Sequence, residues 1–227
     1  MKLKALVPMK GNSQRVPNKN MKNFDAKPLY HTIVKSLLNS KYIQNVIINT
    51  DSETIIKDIQ KNFENEVSII NRPTQIQGDF ISMNDIIAYD LSQLEGEHFL
   101  QTHSTNPLLK PKTIDKAIEK YFENLEKFDS MFAVTKVQTR FYDKNAKAIN
   151  HNPNELLRTQ DLEPMYEENS NFYIFSKKSF KLSNNKRIGL KPQIFEINKL
   201  EAIDINEIED FILAELLYKN QNKLDIK

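Results

Sequence analysis

Short β-branched or apolar runs alternate along the chain with longer stretches whose apolar residues recur every three or four positions. Residues 3–8 (LKALVP) read as a first strand, and residues 28–40 then gather Leu29, Ile33, Val34, Leu37 and Leu38 on one helical face. Residues 46–50 (VIINT) form a second apolar strand, after which Ser52 caps a helix carrying Ile55, Ile56 and Ile59 at helical spacing. The pattern then predicts a short strand at 67–70, a helix at 82–94, a strand at 98–102 and a helix at 112–125 that turns Ile114, Ile118, Tyr121 and Phe122 inward. Such alternation predicts an α/β fold: a doubly wound, mainly parallel sheet with helices on both faces. Right-handed crossovers collect the loops that follow the strands on one edge, where such sheets bind ligands. The loops after Pro8, Thr50 and Thr102 are therefore the places to look.

The rhythm changes after Asp129. Residues 130–137 are strand-like, but 138–169 are polar and contain an Asn152–Pro153 turn, which reads as an excursion from the sheet. Strands at 171–176 and 193–197 follow, and a helix at 208–218 closes the pattern with Ile208, Phe211, Ile212, Ala214, Leu216 and Leu217 mostly inward. The reading is one domain, 1–227, with 138–169 as its excursion.

Composition narrows the function classes. The 227 residues carry 32 Lys+Arg against 30 Asp+Glu, and a net charge of +2 argues against nucleic acid as a partner. No stretch approaches the ~20 apolar residues of a membrane span. Cysteine is absent, which removes disulfides, thiolate metal ligands and thiol nucleophiles together. Residues 1–10 hold lysines but no apolar run of the signal-peptide type, so the expected location is the cytoplasm. The histidines, at 31, 98, 103 and 151, show no metal-ligand spacing.

The loop after the first strand concentrates the candidate chemistry. Pro8, Met9, Lys10, Gly11, Ser13, Arg15, Lys19 and Asn20 combine a glycine with cations directly behind a strand. A polyphosphate there would meet backbone N–H groups near Gly11 and Ser13 and be neutralised by Lys10, Arg15 and Lys19. The loop is neither a Walker A motif nor the dinucleotide fingerprint. It does resemble the N-terminal signature of the acylneuraminate cytidylyltransferase family, roughly Pro-Ala-Arg-Gly-Gly-Ser-Lys-x-x-Pro-x-Lys-Asn, keeping Pro8, Gly11, Ser13, Pro17, Lys19 and Asn20 with Lys10 in place of arginine.

Further matches follow in family order. Thr50-Asp-Ser-Glu53 resembles a Thr-Asp-Asp/Ser-Glu turn, and Asp51 or Ser52 there also suits a helix cap. Arg72-Pro73, with Asp79, Ser82 and Asp85, resembles the stretch that approaches the nucleotide. The segment from Phe99 through Leu108 resembles Leu-Leu-Gln-Pro-Thr-Ser-Pro-Leu-Arg; it keeps Gln101 and departs at His103, which reads first as a loop histidine. Arg158, Gln160, Asp161, Leu162, Tyr166, Glu168, Asn169, Tyr173 and Ile174 fall in register with the family's Arg-Arg-Gln-Asp-Leu stretch, Ser170 standing where it has glycine. Residues 202–211 resemble Ile-Asp-Ile-Asp-x-x-x-Asp-Phe, keeping Asp204 and Asp210 but placing Asn206 at the second carboxylate. Asn206 can ligate Mg²⁺ through its amide oxygen, cap the last helix, or both.

The resemblance implies a fold of the nucleotide-diphospho-sugar transferase type and a CTP-dependent cytidylyltransferase that activates an acidic nonulosonic sugar as its CMP ester. It assigns Lys10, Arg15 and Lys19 to the triphosphate, Arg72, Asn20 and Ser82 to the nucleotide, and Gln101, Arg158, Gln160, Asn169 and Tyr173 to the sugar. Arg158 would hold the sugar carboxylate, and Asp204 with Asn206 would hold Mg²⁺. It also implies a homodimer, with the excursion shaping the sugar pocket and reaching the partner. No general base is evident. Kdo or a sugar phosphate as acceptor, and a nucleotide-binding protein without turnover, are the alternative readings.

Overall fold

The computed structural model describes residues 1–221. The main-sheet strands are β1 (Leu3–Met9), β4 (Ile43–Thr50), β5 (Val67–Asn71), β6 (His98–Thr102), β7 (Ser130–Val137), β8 (Met165–Ser176) and β9 (Pro192–Glu196). A small antiparallel pair, β2 (Asn23–Phe24) and β3 (Lys27–Pro28), stands apart. The helices are α1 (Tyr30–Leu38), α2 (Glu53–Asn62), α3 (Met83–Gln93), α4 (Pro111–Glu123), α5 (Lys177–Leu182) and α6 (Ile208–Asn220). The sheet runs in the order β5-β4-β1-β6-β8-β7-β9. Every neighbouring pair is parallel except those made by β8, which runs antiparallel to both β6 and β7. The expectation of a mainly parallel sheet holds.

Strand alternation explains the two-sided core. Leu3, Ala5, Val7 and Met9 face α1, α2 and α4, packing with Tyr30, Ile33, Ile59, Ile114 and Ile118. Leu6 and Ile47 face the other way, into a cluster with Ile87 and Leu91 of α3 and Phe180 of α5. The chain leaves β1 toward β4 on one side, while β6 lies on the other, so the connections reverse direction between β1 and β6. Crevices beyond the strand ends at such a reversal are where open α/β sheets take their ligands.

Two expectations are revised. α6 buries Phe211 and Ala214 against Phe24, Leu29 and Ile205, but Ile208, Ile212 and Leu216 stand exposed. The helix is apolar on more than one side, so its periodicity could not say which side packs. The excursion is also shorter than 138–169. β8 begins at Met165, and Tyr166, Glu167 and Glu168 pair with Lys136, Thr135 and Val134 of β7. Residues 138–164 hold a short turn of 3₁₀ helix at Thr159–Asp161 and an isolated Tyr142–Ala148 bridge. They expose Tyr142, Ile149, Leu156 and Leu157.

Candidate active site

A cavity of about 410 Å³ opens at the β1/β6 reversal. The loop after β1 supplies Pro8, Met9, Lys10, Ser13, Arg15, Lys19 and Asn20 to its wall. Arg72 comes from the segment after β5, His103 and Ser104 from the loop after β6, and Asp204 with Asn206 from the segment before α6. A second cavity of about 620 Å³ adjoins it, lined by Thr135, Glu168 and Asn169 among others, and shares Ser170, Asp204 and Asn206 with the first.

Local chemistry fixes the loop after β1. Asn18 adopts a left-handed φ of 52° and leads into the 3₁₀ turn Lys19–Met21, which turns Lys19 inward. Lys19 is buried, and its Nζ donates to the carbonyl of Ile205. Burial lowers its pKa, and the field of Asp204 acts against that shift. Asn20 donates from Nδ2 to the Lys10 carbonyl at 2.9 Å and accepts from Ser104 Oγ at 2.7 Å, joining the loops after β1 and β6. Gly11 corrects the expectation that its N–H faces a phosphate: it donates to Asp51 Oδ1 at 2.7 Å. A Cβ at this position would stand 2.8 Å from Ser52 Cβ, so the glycine serves the approach of two loops. Ser52 caps α2 by accepting from Ile55 N at 3.4 Å.

Arg72 is buried and held by neutral acceptors. Its Nε donates to Asn49 Oδ1 at 2.7 Å, and its Nη2 to the carbonyls of Met9 and Asn49 at 3.1 and 3.0 Å. Asn49 in turn donates from Nδ2 to Asp90 Oδ1 at 2.5 Å, so a carboxylate on α3 steadies the guanidinium from behind. Burial lowers the Arg72 pKa, opposed by the fields of Asp51 and Asp90. Ser82, expected at the nucleotide, is the N-cap of α3, accepting from Asp85 N at 3.1 Å.

Lys10 pairs with Asp79 at 2.5 Å, and Gln14 Nε2 donates to the other oxygen of the same carboxylate at 2.7 Å. Arg15 donates from Nη2 to Asn206 Oδ1 at 2.6 Å. Asn206 Nδ2 then donates to Asp204 Oδ2 at 2.9 Å. Asn206 does not cap α6; Glu207 does, in a reciprocal box with Asp210. Asp204 Oδ1 is buried and has no hydrogen-bond partner among the described residues. No group of three His, Asp or Glu side chains able to hold a metal occurs among the described residues. One free carboxylate oxygen in a cavity rimmed by cations is a donor set suited to Mg²⁺ when phosphate oxygens complete the shell.

On the far side of β1, Gln101 is fully buried on β6 and Tyr173 on β8, paired across the strands. Tyr173 donates its hydroxyl proton to Glu168 Oε1, and burial pushes its pKa up to about 12. Asn169 is buried and donates from Nδ2 to Thr135 Oγ1 at 3.0 Å. Ser170 adopts a φ of 57°, the left-handed region that favours glycine, at a break in the β7–β8 register. His103 lines the first cavity, and its pKa is depressed to about 4 by burial and by Arg187. Gln101 Nε2 and Arg187 Nη1 both approach its Nε2 at 3.3 Å, which fixes the neutral ring with its proton on Nδ1.

The expected residues thus divide. Lys10, Ser13, Arg15, Lys19, Asn20, Arg72, Asp204 and Asn206 converge on the first cavity with Pro8 and Met9. Arg158 and Gln160 do not line it: Arg158 is exposed and forked onto Asp161 at 2.7 and 3.0 Å, and the Gln160 carbonyl accepts from Gln138. Arg187, unforeseen from the sequence, does line it. It lies in an irregular segment between α5 and β9, where no periodicity marks an inward side chain.

Comparison with known proteins matches these features. A family model described as "Cytidylyltransferase" covers residues 4–226. A pseudaminic acid cytidylyltransferase of Campylobacter jejuni is 26% identical over 96% of this chain and 97% of its own. An N-acylneuraminate cytidylyltransferase of Streptococcus agalactiae is 25% identical over 93% of this chain and 52% of its own. Among solved structures, a CMP:2-keto-3-deoxy-manno-octonic acid synthetase complexed with CTP superposes with a TM-score of 0.69 at 10% identity, covering 97% of this chain and all of that one. A 4-diphosphocytidyl-2C-methyl-D-erythritol synthase of Anaerococcus prevotii gives 0.67 at 15% identity, with 96% of each chain covered. With a nucleotidyltransferase-like sheet, a cation-lined crevice at its reversal point and a family match across almost every residue, the chain belongs to the cytidylyltransferase family.

Proposed function

We propose that this protein transfers the CMP group of CTP to a nonulosonic acid of the pseudaminic or sialic type, releasing pyrophosphate. The observation that carries the reading is that buried Lys19 and the unpartnered Asp204 oxygen line one cavity together with Arg72 and Lys10. The anomeric hydroxyl of the sugar attacks the α-phosphorus; the new P–O bond forms as the bond to the β-phosphate breaks, and the hydroxyl proton is released to solvent. Lys10, Arg15 and Lys19 neutralise the charge that builds on the departing pyrophosphate. Lys10 must exchange Asp79 for phosphate to do so, and giving up an exposed ion pair costs little. Arg72 enters the nucleotide side already fixed in orientation by Asn49. Asn20 holds the two walls together.

Asp204, with Asn206 beside it, would hold Mg²⁺, which when bound supplies charge stabilisation at the phosphates. His103 is a poor proton acceptor because its Nε2 is already hydrogen-bonded and its pKa is near 4. The acceptor is read to sit on the β6/β8 side, near Gln101 and Tyr173 and opening toward Asn169. The exposed Tyr142, Ile149, Leu156 and Leu157 of the excursion support a homodimer in which this segment, with Arg158 and Gln160, meets the partner. The CMP ester would then serve cytoplasmic synthesis of cell-surface polysaccharide. No helix among the described residues is long and apolar enough to cross a membrane.

The test is pyrophosphate release with CTP, UTP, ATP and GTP, each with an acidic sugar and Mg²⁺. Turnover confined to CTP and lost in Asp204→Asn supports the reading. Equal turnover with the purine nucleotides sinks it.

A further inference from the structure

Arg187 is the cation on the sugar side of this cavity, and like Lys19 and Arg72 it has no paired carboxylate among the described residues. Lys10 is matched by Asp79 and Arg15 approaches Glu207 at 3.4 Å; outside the cavity, Arg158 is forked onto Asp161. Arg187 forms no ion pair among the described residues, although burial already lowers its pKa. The acid nearest in effect, Glu168, is engaged by the Tyr173 hydroxyl. A half-buried charge without a counter-ion is costly, and a ligand that brings the opposite charge would offset that cost.

The guanidinium is also held still. Its carbon lies 3.6 Å from the centroid of the Tyr173 ring, a cation–π contact. Its Nη1 donates to Gln101 Oε1 at 2.7 Å and faces His103 Nε2 at 3.3 Å. Its backbone N–H donates to Asn84 Oδ1 at 3.3 Å. These contacts use the ring face and one nitrogen. The Nε–Nη2 edge makes no hydrogen bond among the described residues, and it is the edge that Arg158 gives to the carboxylate of Asp161. A fixed planar fork of this kind matches a carboxylate, and lysine cannot reproduce it. Position separates this guanidinium from the phosphate machinery, because Gln101 and Tyr173 lie on β6 and β8, on the opposite flank of β1 from Arg72.

We propose that Arg187 binds the carboxylate of the acidic sugar through its Nε–Nη2 edge, and that Gln101 and Tyr173 act as positioning residues for it. The assignment rests on the cytidylyltransferase reading above and names the group that makes the site select sugar acids over neutral sugars.

The test compares the parent with Arg187→Gln and Arg187→Lys, using the acidic sugar and its analogue in which the carboxylate is reduced to a hydroxymethyl group. Loss of a charge-assisted contact is expected to raise the KM for the acid about 10- to 100-fold, with the KM for CTP within about 3-fold of the parent. Against the reduced analogue, parent and variants should perform alike. Arg187→Lys should recover only part of the loss, and both variants should melt like the parent. A rise in the KM for CTP, or an equal loss on acid and analogue, overturns the assignment while leaving the reaction intact. A parent protein that turns over no acidic sugar overturns the reaction itself, and this assignment with it.

Discussion

Asp90 offers a prediction that runs against the usual expectation for a buried charge near an arginine. The residue is 1% exposed; Oδ1 accepts from Asn49 and Oδ2 has no partner among the described residues. Burial is the larger influence and pushes its pKa from the ordinary 3.8 up to about 6, while Asn49 and Arg72 pull the other way. A folded-state pKa above the unfolded one means that between these values the folded protein keeps a proton that the unfolded chain has lost. Stability from this group is therefore intact below about pH 4, falls as pH rises through about 6, and stays lower above that. The raised value corresponds to about 3 kcal/mol by pH 7. Asp90→Asn keeps the size and the acceptor for Asn49 but removes the charge. The variant should match the parent at pH 4 and exceed it by about 1–3 kcal/mol at pH 7.5, a rise in Tm of about 3–10 °C. The field of Asp90 also opposes the effect of burial on Arg72, so the KM for CTP should rise modestly, about 2- to 5-fold. Unfolding of both proteins from pH 4 to 8 provides the readout, because their difference isolates this carboxyl from every other. A variant less stable than the parent at pH 7.5, or a difference that does not change with pH, refutes the reasoning.

Other predictions follow from single contacts. Asn206→Asp replaces the donor to Asp204 with a second carboxylate, so the variant should melt lower without Mg²⁺ and recover when millimolar Mg²⁺ is added; thermal shift measures both. Lys19→Met removes a buried cation and should lower kcat/KM at least about 100-fold in a pyrophosphate-release assay. His103, charged only below about pH 4, should contribute no limb to the pH profile of kcat/KM between 5.5 and 8, which steady-state rates would show. Leu156→Asp combined with Leu157→Asp places charges on exposed apolar positions of the excursion and should turn a dimer into a monomer of unchanged secondary structure, checked by sedimentation and circular dichroism.

Much of this architecture was legible because period and position agree. Residues 3–8 and 46–50 are runs that only a two-sided sheet can bury, and Ser52 marks its helix start by the chemistry of its own side chain. Lys19 could be named as one of the cations clustered behind the first strand, and Asn20 through the resemblance of that loop to the family signature. What stayed hidden depended on tertiary contacts. Gly11 looked like a phosphate-loop glycine, yet its freedom is spent on the approach of Ser52, some 41 positions away in sequence. Arg187 carries no local signal, and its inward course depends on Tyr173 and Gln101 from two other strands. α6 is apolar around much of its circumference, so pattern alone could not tell Phe211, which packs, from Ile212, which does not. The reach of β8 back to Met165 is set by pairing with β7 and not by its own polar sequence.

The most direct test of the central claim is identification of the product. The protein would be incubated with CTP, Mg²⁺ and, separately, pseudaminic acid, N-acetylneuraminic acid, Kdo and a sugar phosphate, and the phosphorus-containing products resolved by ³¹P NMR and mass spectrometry. The account predicts a CMP ester and an equal quantity of pyrophosphate with a nonulosonic acid. A CDP-linked product from the sugar phosphate, with no ester from either nonulosonic acid, would contradict it.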